Sequence, residues 1–208
     1  MSDVVILSAK RTPIGSFLGE LASESAPQLG AIAISAALSE QRIPVDTVEQ
    51  VIFGNVLQAG QGQAPARQAA LYAKLPPSAG AITLHKVCGS GLRAVMDATN
   101  GIRAGEWDLV VAGGMENMSQ APHILPKSRS GYRMGHVEAI DTMVHDGLWD
   151  PYGNKHMGNC AEMCAQKYQF SREEQDQFAL TSYQKARACV EAGSFGNEIA
   201  PVSIAQRK

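Results

Sequence analysis

The chain reads as an α/β fold: a mixed, largely parallel sheet covered by helices, followed by a mostly helical second module. Three observations carry that expectation. Short apolar runs recur at Val4 to Ala9, Val51-Ile52-Phe53, Ala81-Ile82-Thr83-Leu84 and Asp108-Leu109-Val110-Val111-Ala112, with helix-like stretches between them. Strands alternating with helices pair in parallel through crossovers. The runs are continuous and do not alternate with polar residues, as in strands covered on both faces. After about residue 118 this texture stops, so the chain divides into a core half over 1–118 and a second domain over 119–208.

Composition sets broad bounds. The chain has 208 residues, of which 45% are hydrophobic and 18% charged, which suits a packed globular protein. A formal net charge of −2 gives no electrostatic reason to expect nucleic acid or an anionic membrane as partner. No apolar run approaches membrane-spanning length. Met1-Ser2-Asp3 leads straight into strand-like sequence, so no signal peptide is expected. Cys88, Cys160, Cys164 and Cys189 do not form a disulfide framework, which suggests reduced thiols and a cytoplasmic protein.

Taken in order, Val4 to Ala9 predicts a buried strand that ends before Pro13, which cannot donate to a ladder. Gln28 to Gln41 places Leu29, Ile32, Ala33, Ala36 and Ala37 at helical spacing. Val51-Ile52-Phe53 predicts the second strand. Gln58 to Pro65 is a polar, glycine-containing loop without the Lys-Ser/Thr of a phosphate loop. Pro65 suits a first helical turn, and Ala66 to Leu75 continues it.

The third strand runs into His85-Lys86-Val87-Cys88-Gly89-Ser90-Gly91-Leu92. This predicts a strand, a sharp turn carrying a thiol, and a helix starting beside that thiol. Helix starts present unpaired N–H groups and a partial positive charge, both of which favour a thiolate nucleophile. The residues alone also allow a small buried cysteine at a tight junction, since buried free cysteines are common. Leu92, Val95, Met96, Thr99 and Ile102 continue the helix, with Gly105 as its cap. The fourth strand ends in Gly113-Gly114. Parallel sheets collect their chemistry at the carboxyl ends of strands, where Cys88 stands.

In the second module, Lys127, Arg129 and Arg133 read as a solvated basic loop, and Val137 to Asp146 as a short helix. Asp150-Pro151-Tyr152-Gly153-Asn154 is turn chemistry. Met157 to Tyr168 is helical, and Ser171-Arg172-Glu173-Glu174 is a capping box opening a long helix that ends at Gly193. Cys160 and Cys164, at i and i+4, lack the further ligands of a metal site. Ile199 to Ile204 is strand-like, and the stop at Ala205-Gln206-Arg207-Lys208 reads as a cut.

Several segments in order resemble the thiolases, coenzyme A-dependent acetyltransferases that make or break 3-ketoacyl-CoA. They are Ala9 to Gly15, Gly54 to Gly60, Ala64 to Ala70, Val87-Cys88-Gly89-Ser90-Gly91, Ala112 to Ser119, Asp146-Gly147-Leu148 and His156-Met157-Gly158. The resemblance implies a thiolase-like core half followed by the family's loop domain, which covers the active site. It implies that Cys88 takes the acyl group as a thioester and passes it to free CoA or to the enolate of acetyl-CoA. It implies that Leu148, His156 and Met157 line the acyl and pantetheine end of the pocket, the histidine being the form typical of acetoacetyl-CoA thiolases. Acetyl-CoA, other acyl-CoA and CoA are the implied partners, with CoA a substrate and no separate cofactor or metal. The segment around Arg129 and Arg133 resembles one that joins subunits, so a homo-oligomer is implied.

The same resemblance shows what these residues do not contain. Thiolases are about twice as long, and their Gly-His-Pro base, their Cys-x-Gly-Gly-Gly cysteine and an oxyanion-site Asn lie in the later half. None of His85, His123, His136, His145 and His156 sits in a Gly-His-Pro. The expectation is a thiolase-type acyltransferase in part, inactive alone. A degradative 3-ketoacyl-CoA thiolase of broader chain length, a non-catalytic oligomerising module, or one chain of a split enzyme stand as alternatives.

Overall fold

The structure is a computed structural model that describes residues 3–204. Two compact units emerge: residues 1–147 with 200–208, and residues 148–199. The change of sequence texture near 118 marks a different boundary, the end of the parallel sheet.

The first unit is built on helix α1 (Ala26–Glu40), strand β1 (Gln50–Gly54), helix α2 (Pro65–Tyr72), strand β2 (Gly80–Leu84), helix α3 (Ser90–Ala104) and strand β3 (Val110–Gly114). The three strands form one parallel sheet in the order β2-β1-β3. The register is unbroken: Gln50 to Gly54 stand opposite Gly80 to Leu84 on one side and Val110 to Gly114 on the other. All three carboxyl ends therefore stop at one level.

Side chains of β1 alternate between two packed layers. Val51 and Phe53 join α1 and α2 in the larger core, with Ile34, Leu38, Ala66, Ala69 and Leu75. Ile52 faces α3 through Ala94 and Ala98. The many alanines let helices approach the sheet closely. Ser25 starts α1 with a capping box shared with Gln28. The start of α2 has no side-chain cap of its own; Thr83 Oγ1 on β2 accepts from Ala66 N–H (2.9 Å) instead. Gly105, at φ 75°, closes α3.

The expectation of a first buried strand at Val4 to Ala9 is corrected. These residues join no regular strand among the described residues, and Val5, Ile6 and Leu7 are 68%, 80% and 52% exposed. An apolar run specifies extended backbone but not a partner for it. The segment is tied down by Lys10 to Glu40 (2.6 Å) and by Ser8 to the same carboxylate. Hydrogen bonds from Lys10 and Ser8 hold the Glu40 carboxyl below the usual carboxylate range. Ile199 to Ile204 likewise forms no regular strand; Ala200 N–H meets Arg11 O at 2.8 Å. The chain-end reading at Ala205 to Lys208 lies outside the described residues. Coverage on both faces holds for β1, buried throughout, but not for the edge strand β2, where Ile82 is exposed.

Strands β4 (His123–Ile124) and β5 (Ile140–Asp141) pair antiparallel around an exposed arm that carries Lys127, Arg129 and Arg133. The short helix expected at Val137 to Asp146 is replaced by β5 and a π-helical turn at Met143–Leu148. Thr142, buried, bonds Pro122 O through both its N–H and its hydroxyl, which draws this stretch into the two-stranded ladder.

The second unit contains strands β6 (Trp149–Asp150) and β7 (Lys155–His156), helix α4 (Met157–Tyr168) and helix α5 (Arg172–Glu191). Asp150 accepts from Tyr152 and Gly153 N–H to make the β6–β7 turn. Ser171 and Glu174 form the capping box of α5 as the sequence predicts.

Gly54 is a tight junction between β1 and the start of α3. A Cβ there would lie 2.5 Å from Ser90 Cβ and 2.8 Å from Ser90 carbonyl carbon. Gly54→Ala is therefore expected to destabilise the chain by about 1–3 kcal/mol, the cost of overpacking a filled site. Urea unfolding followed by circular dichroism measures it, and an unchanged midpoint would refute the packing account.

Candidate active site

Because the three strands end in register, the loops after Gly54, Leu84 and Gly114 leave from neighbouring points. Asn55, 1% exposed, connects them. Its backbone N–H donates to Leu84 O at the end of β2 (3.0 Å). Its Nδ2 donates to Met115 O (3.2 Å) and to Glu116 Oε1 (2.8 Å) beyond β3. Glu116 also accepts from Val56 N–H (2.8 Å) and Leu57 N–H (3.1 Å). Asn55 Oδ1 has no hydrogen-bond partner among the described residues.

The turn after β2 carries Cys88, whose residue is exposed and whose thiol is free. The turn is braced from inside. Ser90 Oγ accepts from Lys86 N–H (2.8 Å) and donates to Val87 O (2.6 Å). Gly89 and Ser90 N–H return to Lys86 O and Val87 O, and His85 Nδ1 accepts from Val87 N–H (3.0 Å). Val87, immediately before Cys88, has φ 46°. A β-branched residue in the left-handed region is a genuine outlier. It persists only where its surroundings over-determine it, and such strain concentrates at functional sites. Gly89 is the N-cap of α3, so Cys88 stands one residue outside the helix, at its positive end.

The other three predicted site residues lie in the second unit, and the β6–β7 ladder brings them together. His156 pairs with Trp149 across that ladder; Leu148 precedes Trp149, and Met157 follows His156. His156 is partly buried and caps α4, its Nδ1 accepting from Gly158 N–H (3.0 Å). With Nδ1 accepting, the neutral ring carries its proton on Nε2, which is left as a donor. Met157 begins α4 and is 41% exposed. Leu148 ends the π-helical turn, a distortion often found at functional sites.

Residue-type patterns did not mark Asn55, Glu116, Ser90 or Val87 as structural determinants of the Cys88 turn. The available signal was two polar residues near strand ends, Asn55 directly after Gly54 and Glu116 two residues after Gly114. Asn117 is also structural: its Nδ2 donates to Leu21 O and Glu24 O and holds the loop leading into α1. A cleft of roughly 530 Å³ lies in the same unit, lined by Arg11, Phe17, Leu29, Glu116, Asn117 and Met143 among others. Among the described residues no group of three or more His, Cys, Asp or Glu side chains could hold a metal ion, and no helix is long and apolar enough to cross a membrane.

Comparison with known proteins places this geometry in a family. Residues 4–208 match the model for "Thiolase, N-terminal domain". The chain is 56% identical over 208 residues to an acetyl-CoA acetyltransferase of Cupriavidus necator, covering all of this chain and 53% of that protein. It is 51% identical over 208 residues to one of Pseudomonas aeruginosa, covering all of this chain and 53% of that protein. It is 50% identical over 204 residues to the mitochondrial acetyl-CoA acetyltransferase of Bos taurus, covering 98% of this chain and 48% of that protein. The chain thus spans about half the length of the curated relatives it matches. A parallel α/β sheet, a thiol-bearing turn at its carboxyl end and a match running from Val4 onward agree: this chain belongs to the thiolase family, by its N-terminal domain.

Proposed function

We propose that this chain is the nucleophile-bearing part of a thiolase-type acyltransferase that interconverts two acetyl-CoA with acetoacetyl-CoA and CoA. The observation that carries the reading is the strained, braced turn that presents the exposed Cys88 at the start of α3. The printed names of the relatives support the choice of acetyl-CoA and CoA as substrates.

In this reading the Cys88 thiolate attacks the thioester carbonyl of an acyl-CoA. A C–S bond to Cys88 forms, the bond to CoA sulfur breaks, and CoA leaves as its thiolate. A second acetyl-CoA, deprotonated at its methyl carbon, then attacks the acyl-cysteine, and the Cys88 thiolate leaves. In the opposite direction CoA thiolate takes the acyl group from Cys88. A thiolate both attacks a thioester carbonyl and leaves from one, which is why one cysteine serves both directions. The Cys88 N–H is proposed as a donor to the oxyanion, a contribution of about 3 kcal/mol where such donors are aimed correctly. His156 Nε2, Leu148 and Met157 are proposed to line the acyl and pantetheine end of the pocket. The acid–base partners that the carbon–carbon step needs are not among residues 1–208, where no Gly-His-Pro occurs.

The exposed β4–β5 arm, with Arg129 and Arg133, supports a homo-oligomer as the working form. Four free cysteines support a reducing compartment, consistent with the cytoplasm.

Residues 1–208 alone are expected to show no CoA-dependent cleavage of acetoacetyl-CoA at rates approaching those of the relatives. Joined to the remaining length of the Cupriavidus necator relative, the chain is expected to cleave it. In that chimera Cys88→Ala should lower kcat by roughly a thousandfold or more, because the groups of such sites act as a unit. Cleavage by 1–208 alone, or by the Cys88→Ala chimera, sinks the reading.

A second expectation separates capping from substrate binding at His156. Asn is a good N-cap, so His156→Asn keeps α4 capped while moving the donor. In the chimera it should lower kcat/KM for acetoacetyl-CoA roughly tenfold with an unchanged melting temperature. Unchanged kinetics would reduce His156 to a helix cap.

Without any partner half, iodoacetamide should alkylate Cys88 roughly tenfold or more faster than Cys164, which is also exposed. Peptide mass spectrometry over a time course gives both rates. Equal rates would contradict an activated Cys88.

A further inference from the structure

We propose that Asn55 and Glu116 act together as one clasp that positions the turn carrying Cys88. The proposal rests on the reading of Cys88 as the nucleophile and names the residues that hold it in place.

The turn leaves β2 at Leu84 and enters α3 at Ser90. Its two ends are held by Asn55 and by Gly54, the last residue of β1. Leu84 O accepts from Asn55 N–H (3.0 Å). Ser90 stands directly over Gly54, with no room between them for even a Cβ. The path of His85 to Gly89 is therefore set by where Gly54 and Asn55 lie. That stretch includes Val87 at φ 46°, a conformation it keeps only if its neighbours do not yield.

Glu116 fixes Gly54 and Asn55 in turn. One carboxylate gathers three donors from the end of β1: Asn55 Nδ2, Val56 N–H and Leu57 N–H. Asn55 adds a bond to Met115 O, so β1 and β3 are stapled just past their last paired residues. Asn55 is buried, so water does not replace a lost partner easily. Neither side chain bonds to any residue from His85 to Gly89 among the described residues. Both act through the backbone of Gly54 and Asn55, which makes them positioning residues and not catalytic ones.

The test uses the 208-residue chain and the ratio of Cys88 to Cys164 alkylation by iodoacetamide, with thermal unfolding measured in parallel. Asn55→Ala and Glu116→Gln are each expected to lower the ratio roughly tenfold, the scale on which a displaced reacting group loses rate. The double variant should fall no further than the worse single variant, because one clasp is broken once. The Cys164 rate should not move. Should Asn55→Ala fail to fold, Asn55→Asp keeps the size, sets a carboxylate against Glu116 and carries the same expectation. A folded variant with a wild-type ratio overturns the proposal, even if its melting temperature falls, since that is what a purely structural pair would do. So does a double variant whose loss is the product of the single losses. A wild-type ratio near one would instead overturn the nucleophile reading, and the clasp with it.

Discussion

The buried amide of Asn55 sits where three parallel strands stop, and most of what is distinctive about the first unit depends on that joint. Parallel strands in unbroken register deliver their loops to one place, which is why ligands gather at carboxyl ends. Delivery alone does not fix the loops. Here the backbone of Asn55 bonds β2, its side chain bonds the segment after β3, and Glu116 collects the N–H groups that follow. Gly54 completes the joint by having no side chain, so that the start of α3 rests on backbone.

The energetics of the chain are lopsided around that joint. The layer formed by α1 and α2 is tightly filled with alanine, isoleucine and leucine against Val51 and Phe53. The α3 layer is thin: Ile52, Ala94 and Ala98 are buried, while Leu92, Val95 and Met96 are exposed. Helices α4 and α5 bury no residue fully. Hydrophobic stabilisation scales with apolar area removed from water, so the α1–α2 layer supplies most of it. Apolar side chains stay in water on α3 and at Val5 to Leu7, where they add little to that stabilisation.

Much of this was legible in the residues. Caps and breakers are local, so Pro65, Gly105 and Ser171 marked helix ends correctly. Three of the four predicted strands appear within a residue or two of the expected positions, because short runs rich in Val, Ile and Leu bounded by turn residues favour extended backbone. The strand-like runs at the two ends were misread for one reason: extended preference says nothing about whether a neighbour will supply a ladder. The Cys88 turn was legible as a turn, but the φ of Val87 was not, since valine ordinarily argues against the left-handed region. The π-helical turn at Met143–Leu148 was equally hidden, because it answers to Thr142 being drawn to Pro122.

What the amino-acid order determined by itself is whatever depends on neighbours in the chain: the helix caps, the turn at Asp150, the thiol set between a strand and a helix start, and the run of segments that mark a thiolase. What only the tertiary structure decided is whatever depends on residues far apart. Asn55 meeting Glu116, Thr83 capping α2 and Gly54 seating Ser90 each join positions that no spacing rule relates. The physical reason is that hydrogen bonds and close packing are satisfied by proximity in space. Proximity between strand ends exists only once the sheet has closed in register.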